Sequence, residues 1–164
     1  MRRTRGRRAG ERLALGLGIA SLVTVLDQAA KWYVVAGVMQ PPRAIELTDW
    51  LNLVITWNRG ISFGLFSGQV MPYVLTGVAL AVVALLVVWL VYDSRMSAAC
   101  WLGLVIGGAV GNVIDRLRLG AVADFIDVHA GAWHWPAFNV ADSAITIGVT
   151  LILIDGLFGR SEMS

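Results

Sequence analysis

Two short motifs hold the residues best suited to chemistry. The stretch 107-GGAVGNVIDR-116 closes an apolar run, Ser97 to Ile114, that carries no charge, and 138-FNVADSAI-145 repeats its Asn-Val-X-Asp pattern. Asn112 stands three residues before Asp115, and Asn139 three before Asp142, so on helices each amide shares a face with its carboxylate. If the two helices pack, two carboxylates and two amides point into one pocket. Neighbouring carboxylates in a low dielectric tend to hold one proton between them. One Asp then draws a proton from water as general base while the other donates its own. That is peptide hydrolysis of the aspartic type, without metal, cofactor, serine or cysteine, and its expected catalytic pair is Asp115 with Asp142. Arg116 would steady an anionic group, a lipid phosphate or a developing charge.

Plainer roles compete for the same residues. Asn and Asp are good helix N-caps, which accounts for Asn139 and partly for Asp142. It fits Asp115 badly, because a C-terminal helix end disfavours an anion. Asp27 and Lys31 are spaced i,i+4, which suits a structural salt bridge tethering the first helix. His129 and His134, with Asp124 and Asp127 nearby, raise the question of a metal site, but a strand or loop offers no preformed ligand geometry, and no metal is expected. Gly103, Gly107, Gly108 and Gly111 fall on one helix face and permit close helix packing. Asp155 reads as an interfacial charge at the end of the last helix.

The elements that must position these groups are membrane spans. The 164 residues are 57% hydrophobic and only 15% charged, against about a quarter charged in soluble domains. The seven tryptophans also suit a membrane interface. One integral membrane domain is expected, with spans at about 13–38, 70–92, 97–117 and 140–158, each near the ~20 residues a bilayer requires. The first resembles a signal peptide at a glance, yet its apolar stretch runs past Asp27 and Lys31 to Val38 without a convincing cleavage site, so it reads as an uncleaved span. The single cysteine, Cys100, excludes an intrachain disulfide framework. Six arginines in the first twelve residues form a basic tail that reads as a topology signal rather than a nucleic-acid patch. They predict both termini in the cytoplasm. Segments of about 39–69 and 118–139 then lie outside, where apolar residues at odd positions from Ile45 to Trp57 indicate strand. Trp50, Trp57, Trp133 and Trp135 would rest this layer on the lipid headgroups.

Orientation converts sequence position into height. At about 1.5 Å per residue, Asp27 lies ~21 Å, Asp142 ~24 Å, and Lys31 and Asp115 ~27 Å above the inner boundary. Ionisable groups from three helices thus meet at one level near the outer edge of the hydrocarbon. Charges within spans favour a partner or a wet cavity.

These motifs, in this order, resemble the lipoprotein signal peptidase family, the type II signal peptidases of bacteria. The resemblance covers most of the chain and is carried by 27-DQAAK-31, 58-NRGISFG-64, 107-GGAVGNVIDR-116, 122-VADFID-127 and 138-FNVADSAI-145. Ala30 and the pair Ile61-Ser62 depart slightly from its usual pattern. The resemblance implies an all-α membrane fold, a four-transmembrane-helix bundle with a small extracytoplasmic β-rich cradle. It implies an aspartic endopeptidase in the bacterial inner membrane, a target of the cyclic peptide globomycin. That enzyme removes signal peptides from prolipoproteins just before a diacylglyceryl-modified cysteine. Asp115 and Asp142 would form the dyad, and Asn58, Asn112, Arg116 and Asn139 would line the substrate pocket. Asp27, Lys31 and Asp124 match positions tied to stability or full activity. Gly60 and Phe63 would support a closing outer segment. Its partners would be prolipoproteins and membrane lipids, the working unit a monomer. The rivals are a small proton-coupled transporter and a structural membrane subunit. A proton path must cross the membrane, whereas the inner half of every span has few ionisable groups beyond Asp155.

Overall fold

The computed structural model describes residues 2–60 and 71–158. Helix α1, Arg2–Trp32, continues into a π-helical turn, Tyr33–Val38, and the hairpin β1, Ile45–Thr48, and β2, Leu51–Asn58, follows. Helices α2, Met71–Tyr92, and α3, Met96–Leu119, come next. Strands β3, Val122–Ala130, and β4, Trp133–His134, precede α4, Val140–Phe158. The four strands form one antiparallel sheet in the order β1-β2-β3-β4. Four helices are long and apolar enough to cross a membrane, the first from Arg8 to Val38 once the π-helical turn is included.

Local chemistry sets the helix ends. Pro72 sits at the start of α2, where its missing N–H would have had no partner. Between α2 and α3, Asp93 accepts the Arg95 amide at 2.8 Å and turns the chain. Gly120 ends α3 in the left-handed region, φ 69°, its N–H donating to the Arg116 carbonyl.

Helix α3 is central and packs against the other three helices. Its glycines allow this. A Cβ on Gly107 would lie 2.5 Å from the Ala20 carbonyl oxygen and 2.8 Å from the Val23 Cβ of α1. Gly108 faces the backbone of Ala141 on α4 in the same manner. Leu102, Ile106, Ala20 and Leu90 fill the bundle core. A second cluster, Val34, Met39 and Phe125, seats the sheet on the π-helical turn, with Ile45, Leu53 and Ile55 packed against it. Those three are among the odd-numbered residues of the alternating stretch. Leu47 and Trp57 share that parity but are exposed, whereas Asn52, of opposite parity, is buried and donates to Asp127 at 3.0 Å. The hairpin turn at Asp49 and Trp50 and the register shifts in both ladders break the simple alternation.

The sheet, the C-terminal end of α3 and the N-terminus of α4 lie at one end of the bundle. At the other, Arg95 pairs with Asp93 at 2.9 Å and with Asp155 at 2.8 Å, joining the α2–α3 link to the end of α4. Asp93 is held down to about 2, chiefly by the Arg95 hydrogen bond.

The Gly107→Val substitution should wedge α1 from α3 and destabilise the protein by about 1–3 kcal/mol. Thermal unfolding in detergent measures this, and an unchanged midpoint would deny the close approach.

Candidate active site

The polar residues of the spans divide into two groups joined by amides. In the first, Lys31 is buried and its ammonium reaches Asp27 Oδ2 at 2.8 Å, Asp115 Oδ2 at 2.8 Å and Asn112 Oδ1 at 3.2 Å. These are the three donors an ammonium possesses. Asp27 Oδ1 also accepts the Ala141 amide at 2.9 Å, which ties α1 to the start of α4. Gly111 leaves room for this carboxylate, since a Cβ there would stand 2.5 Å from Asp27 Oδ2. Asp115 further accepts Gln28 Nε2 at 2.9 Å and the Ala123 amide at 3.2 Å. Both oxygens of Asp115 are thus engaged, and the residue is 3% exposed.

The second group surrounds a cavity of about 580 Å³ lined by Asn58, Asp124, Asp142, Ser143, Thr146, Ile147 and the segment Trp135 to Phe138. Asp124 and Asp142 both face it. Asn139 N-caps α4: its Oδ1 accepts the Asp142 amide at 2.9 Å, while Asp142 Oδ2 accepts the Asn139 amide at 3.3 Å. This reciprocal box anchors Asp142 in the first turn, where the helix dipole favours an anion. The other oxygen, Oδ1, accepts Asn112 Nδ2 at 2.7 Å. Asp124 accepts Asn139 Nδ2 at 2.6 Å and Asn58 Nδ2 at 3.1 Å. The Gly60 amide in turn donates to Asn58 Oδ1 at 3.2 Å and orients that side chain. Phe63 lies outside the described residues.

Asp124 is 2% exposed, and burial first, then the nearby charge of Asp142, pushes its carboxyl up to about 6. A carboxyl that holds its proton up to about 6 and a second carboxyl on the same cavity are groups that general acid–base hydrolysis can use. Arg116 lies close enough to feel the charges of Asp142, Asp124 and Asp115, yet makes no ion pair with them. Its Nη1 reaches the Asn112 carbonyl at 3.4 Å, and its buried Nε has no partner.

The expected pairing of Asp115 with Asp142 is therefore not the one this geometry favours. Lys31 claims Asp115, and the carboxylate that shares the cavity with Asp142 is Asp124. Sequence reasoning gave Asp124 a supporting part. The usable signal was that Lys31 and Asp115 stand at the same estimated height, where a cation and an anion pair. Asn58, Asn112 and Asn139 do reach the cavity acids, and Asp27 with Lys31 forms the structural pair that their spacing suggests. His129 and His134 stack with ring centroids 5.0 Å apart, and His134 Nδ1 meets Asp127 at 2.9 Å. Among the described residues no three His, Cys, Asp or Glu side chains are grouped to hold a metal ion.

Comparison with known proteins places most of the chain in one family. The family model described as signal peptidase (SPase) II matches residues 19–158. The chain is similar to the lipoprotein signal peptidase of Anaplasma phagocytophilum (strain HZ), 42% identical over 92% of this chain and 96% of that one. It is 45% identical to the lipoprotein signal peptidase of Methylorubrum extorquens (strain PA1), over 85% and 84% of the two chains. Among solved structures, a bacterial membrane enzyme obtained by the in meso method at 2.3 Å superposes with a TM-score of 0.79 at 32% identity, covering 91% of each chain. A second, at 1.9 Å, gives 0.77 at 32% identity over 89% of this chain and 94% of the other.

Two stability measurements follow. Removing Asp115 leaves the buried ammonium short of a partner, so Asp115→Ala should cost about 3–5 kcal/mol, read as a lowered unfolding midpoint in detergent. Asp124 acts in the opposite sense. Folded, it keeps its proton to about 6, whereas its ordinary value is 3.8, so the native state binds more protons between these pH values. Stability from this group is present at low pH and is lost as pH rises through about 6. Relative to wild type, Asp124→Asn should gain stability between pH 4 and 6, up to about 3 kcal/mol above that window. A pH-independent difference would contradict the assigned protonation.

Proposed function

The chain belongs to the signal peptidase II family, and from that premise we propose that Asp124 and Asp142 cut signal peptides from lipid-modified prolipoproteins. The protein is a multi-pass membrane peptide hydrolase of the aspartic type. Family membership sets aside the transporter and assembly-subunit readings. The observation that carries the proposal is the cavity itself: Asp124 and Asp142 both line it, whereas Asp115 does not and is held in an ion cluster.

In the proposed reaction Asp142, at the start of α4, takes a proton from a water molecule in the cavity. The resulting oxygen attacks the carbonyl carbon just before the modified cysteine, and Asp124 gives its proton to the carbonyl oxygen. As the C–N bond of the tetrahedral intermediate breaks, Asp142 gives the proton to the leaving nitrogen and a hydroxyl of the intermediate returns its proton to Asp124, which leaves a carboxylic acid and a free amine. Asn112 and Asn139 hold the two carboxylates, and Asn58 holds Asp124. Arg116, close to the charges of Asp142 and Asp124, steadies the charge that develops beside them.

The setting suits a substrate half in lipid. Thr146 and Ile147 are exposed and line the cavity one turn below Asp142, about 6 Å deeper along α4. An apolar signal helix then lies against α4 while its end reaches the acids. Orientation by the arginine-rich N-terminus puts the termini in the cytoplasm and the sheet outside, as a cradle over the site in the bacterial inner membrane. The working unit in this reading is a monomer in contact with membrane lipid.

Cleavage of a synthetic diacylglyceryl-cysteine peptide by the purified protein tests this reading. Asp124→Asn and Asp142→Asn should each remain folded and lose turnover by at least about 10³-fold, the scale on which loss of a general acid or base acts. Asp115→Asn should lose activity only in proportion to its loss of folded protein. Full turnover by either cavity variant, or a well-folded but inactive Asp115→Asn, would return the catalytic role to Asp115.

A further inference from the structure

We propose that Lys31, which touches neither cavity acid, is a positioning residue that locks the Asn112 amide so that its N–H points at Asp142. The proposal rests on Asp124 and Asp142 being the catalytic pair. An asparagine amide fits its density of contacts in two ways, exchanging oxygen for nitrogen. In one, Nδ2 donates to Asp142 Oδ1, as it does here at 2.7 Å. In the other, Oδ1 would oppose the carboxylate, an arrangement that only a protonated Asp142 satisfies. Lys31 decides between them. Its ammonium lies 3.2 Å from Asn112 Oδ1, and a flipped amide would set NH₂ against NH₃⁺. Asp27 and Asp115, each 2.8 Å from the ammonium, fix it in place and leave its third donor for Asn112.

Neighbouring charges do not provide the same lock. Around Asp142, α1 brings Asp27 and Lys31, α3 brings Asp115 and Arg116, and β3 brings Asp124. Arg116 bonds the Asn112 backbone carbonyl, not the amide. Asn139 donates one Nδ2 hydrogen to Asp124 at 2.6 Å, and its second is shared between Asn112 Oδ1 and the Ala123 carbonyl, both at a long 3.4 Å, a weaker hold on the amide than the ammonium. A cation on α1 thus sets the resting state of an acid on α4 through one side chain of α3.

The test is the pH profile of kcat/KM on the lipidated peptide. Lys31→Met alone strands two buried carboxylates, so the charge-balanced pair Lys31→Met with Asp115→Asn is used, with folding checked by thermal unfolding in detergent. The acid limb, which reports ionisation of the base, should move up by about one pH unit, a tenfold loss of kcat/KM below the limb. On the alkaline side of the limb the loss should be smaller. In an Asn112→Leu background, which removes the amide, the same Lys31 change should leave the limb where Asn112→Leu has put it. Lys31→Arg, which retains a cationic donor, should keep the wild-type limb. If the balanced pair fails to fold, Lys31→Arg and Asn112→Leu are compared: a limb shifted by Asn112→Leu and held by Lys31→Arg supports the lock, and an unshifted limb in Asn112→Leu overturns it. A folded balanced pair with a wild-type limb, or an equal shift with and without Asn112, likewise overturns it. Neither result touches the catalytic pair, which fails if Asp124→Asn or Asp142→Asn remains active or if a well-folded Asp115→Asn is inactive.

Discussion

An ammonium sealed among apolar helices must place all three of its protons, and the fold is arranged around how Lys31 does so. Its two carboxylate partners reach further than the pair itself. Asp27 also accepts an amide from the first turn of α4, and Asp115 accepts the amide of Ala123 at the start of β3. One buried ion cluster therefore joins α1, α3, α4 and the sheet. Desolvating these charges is costly, and only complete pairing offsets it. Asp115 matters to the site for this reason, because the strand residue it anchors is the neighbour of Asp124. Asp115, the acid its motif marked for reaction, thus also fixes the acid that faces the cavity.

Much of this was legible in the sequence because helices translate order into height. Four apolar stretches, a repeated Asn-Val-X-Asp and ionisable residues at one level define a bundle with a polar end. Height does not specify azimuth. Lys31 and Asp115 were placed level, and a choice between Lys31 and Asp142 as partner for Asp115 depends on which helix faces point together. That is set by backbone contact at Gly107 and Gly108. Asp124 was hidden for a different reason. It sits on a strand whose place depends on pairing with β2, Thr56 lying opposite Asp124, a contact between residues far apart in the chain. The stretch from Ile45 to Trp57 had the right period for strand, but not the hairpin at its centre. That turn reverses the chain and leaves Leu47 and Trp57 exposed.

The charges of the bundle are segregated. Near the sheet they are buried and tightly paired. At the far end Arg95, half exposed, bridges Asp93 and Asp155 near the helix ends. Such exposed pairs contribute little to stability, typically below about 1 kcal/mol. They pin the ends of α2, α3 and α4 without bringing charge into the apolar middle. Hydroxyls within the spans are satisfied locally: Thr24 donates to the Ala20 and Gly107 carbonyls, Thr76 to Pro72, and Thr150 to Thr146. The bundle therefore concentrates its buried polar groups in a single layer beside the sheet.

The cap of α4 carries a consequence for how the protein fails. The atoms that begin this helix, Asn139 Oδ1 and Asp142 Oδ2, belong to the residues that hold and form the acid pair. Helix ends fray before helices melt. Loosening a single turn would scatter the cavity carboxyls while the rest of the bundle still stood. Heat should therefore silence this protein in two stages, a reversible loss of competence first and collapse of the membrane domain only later.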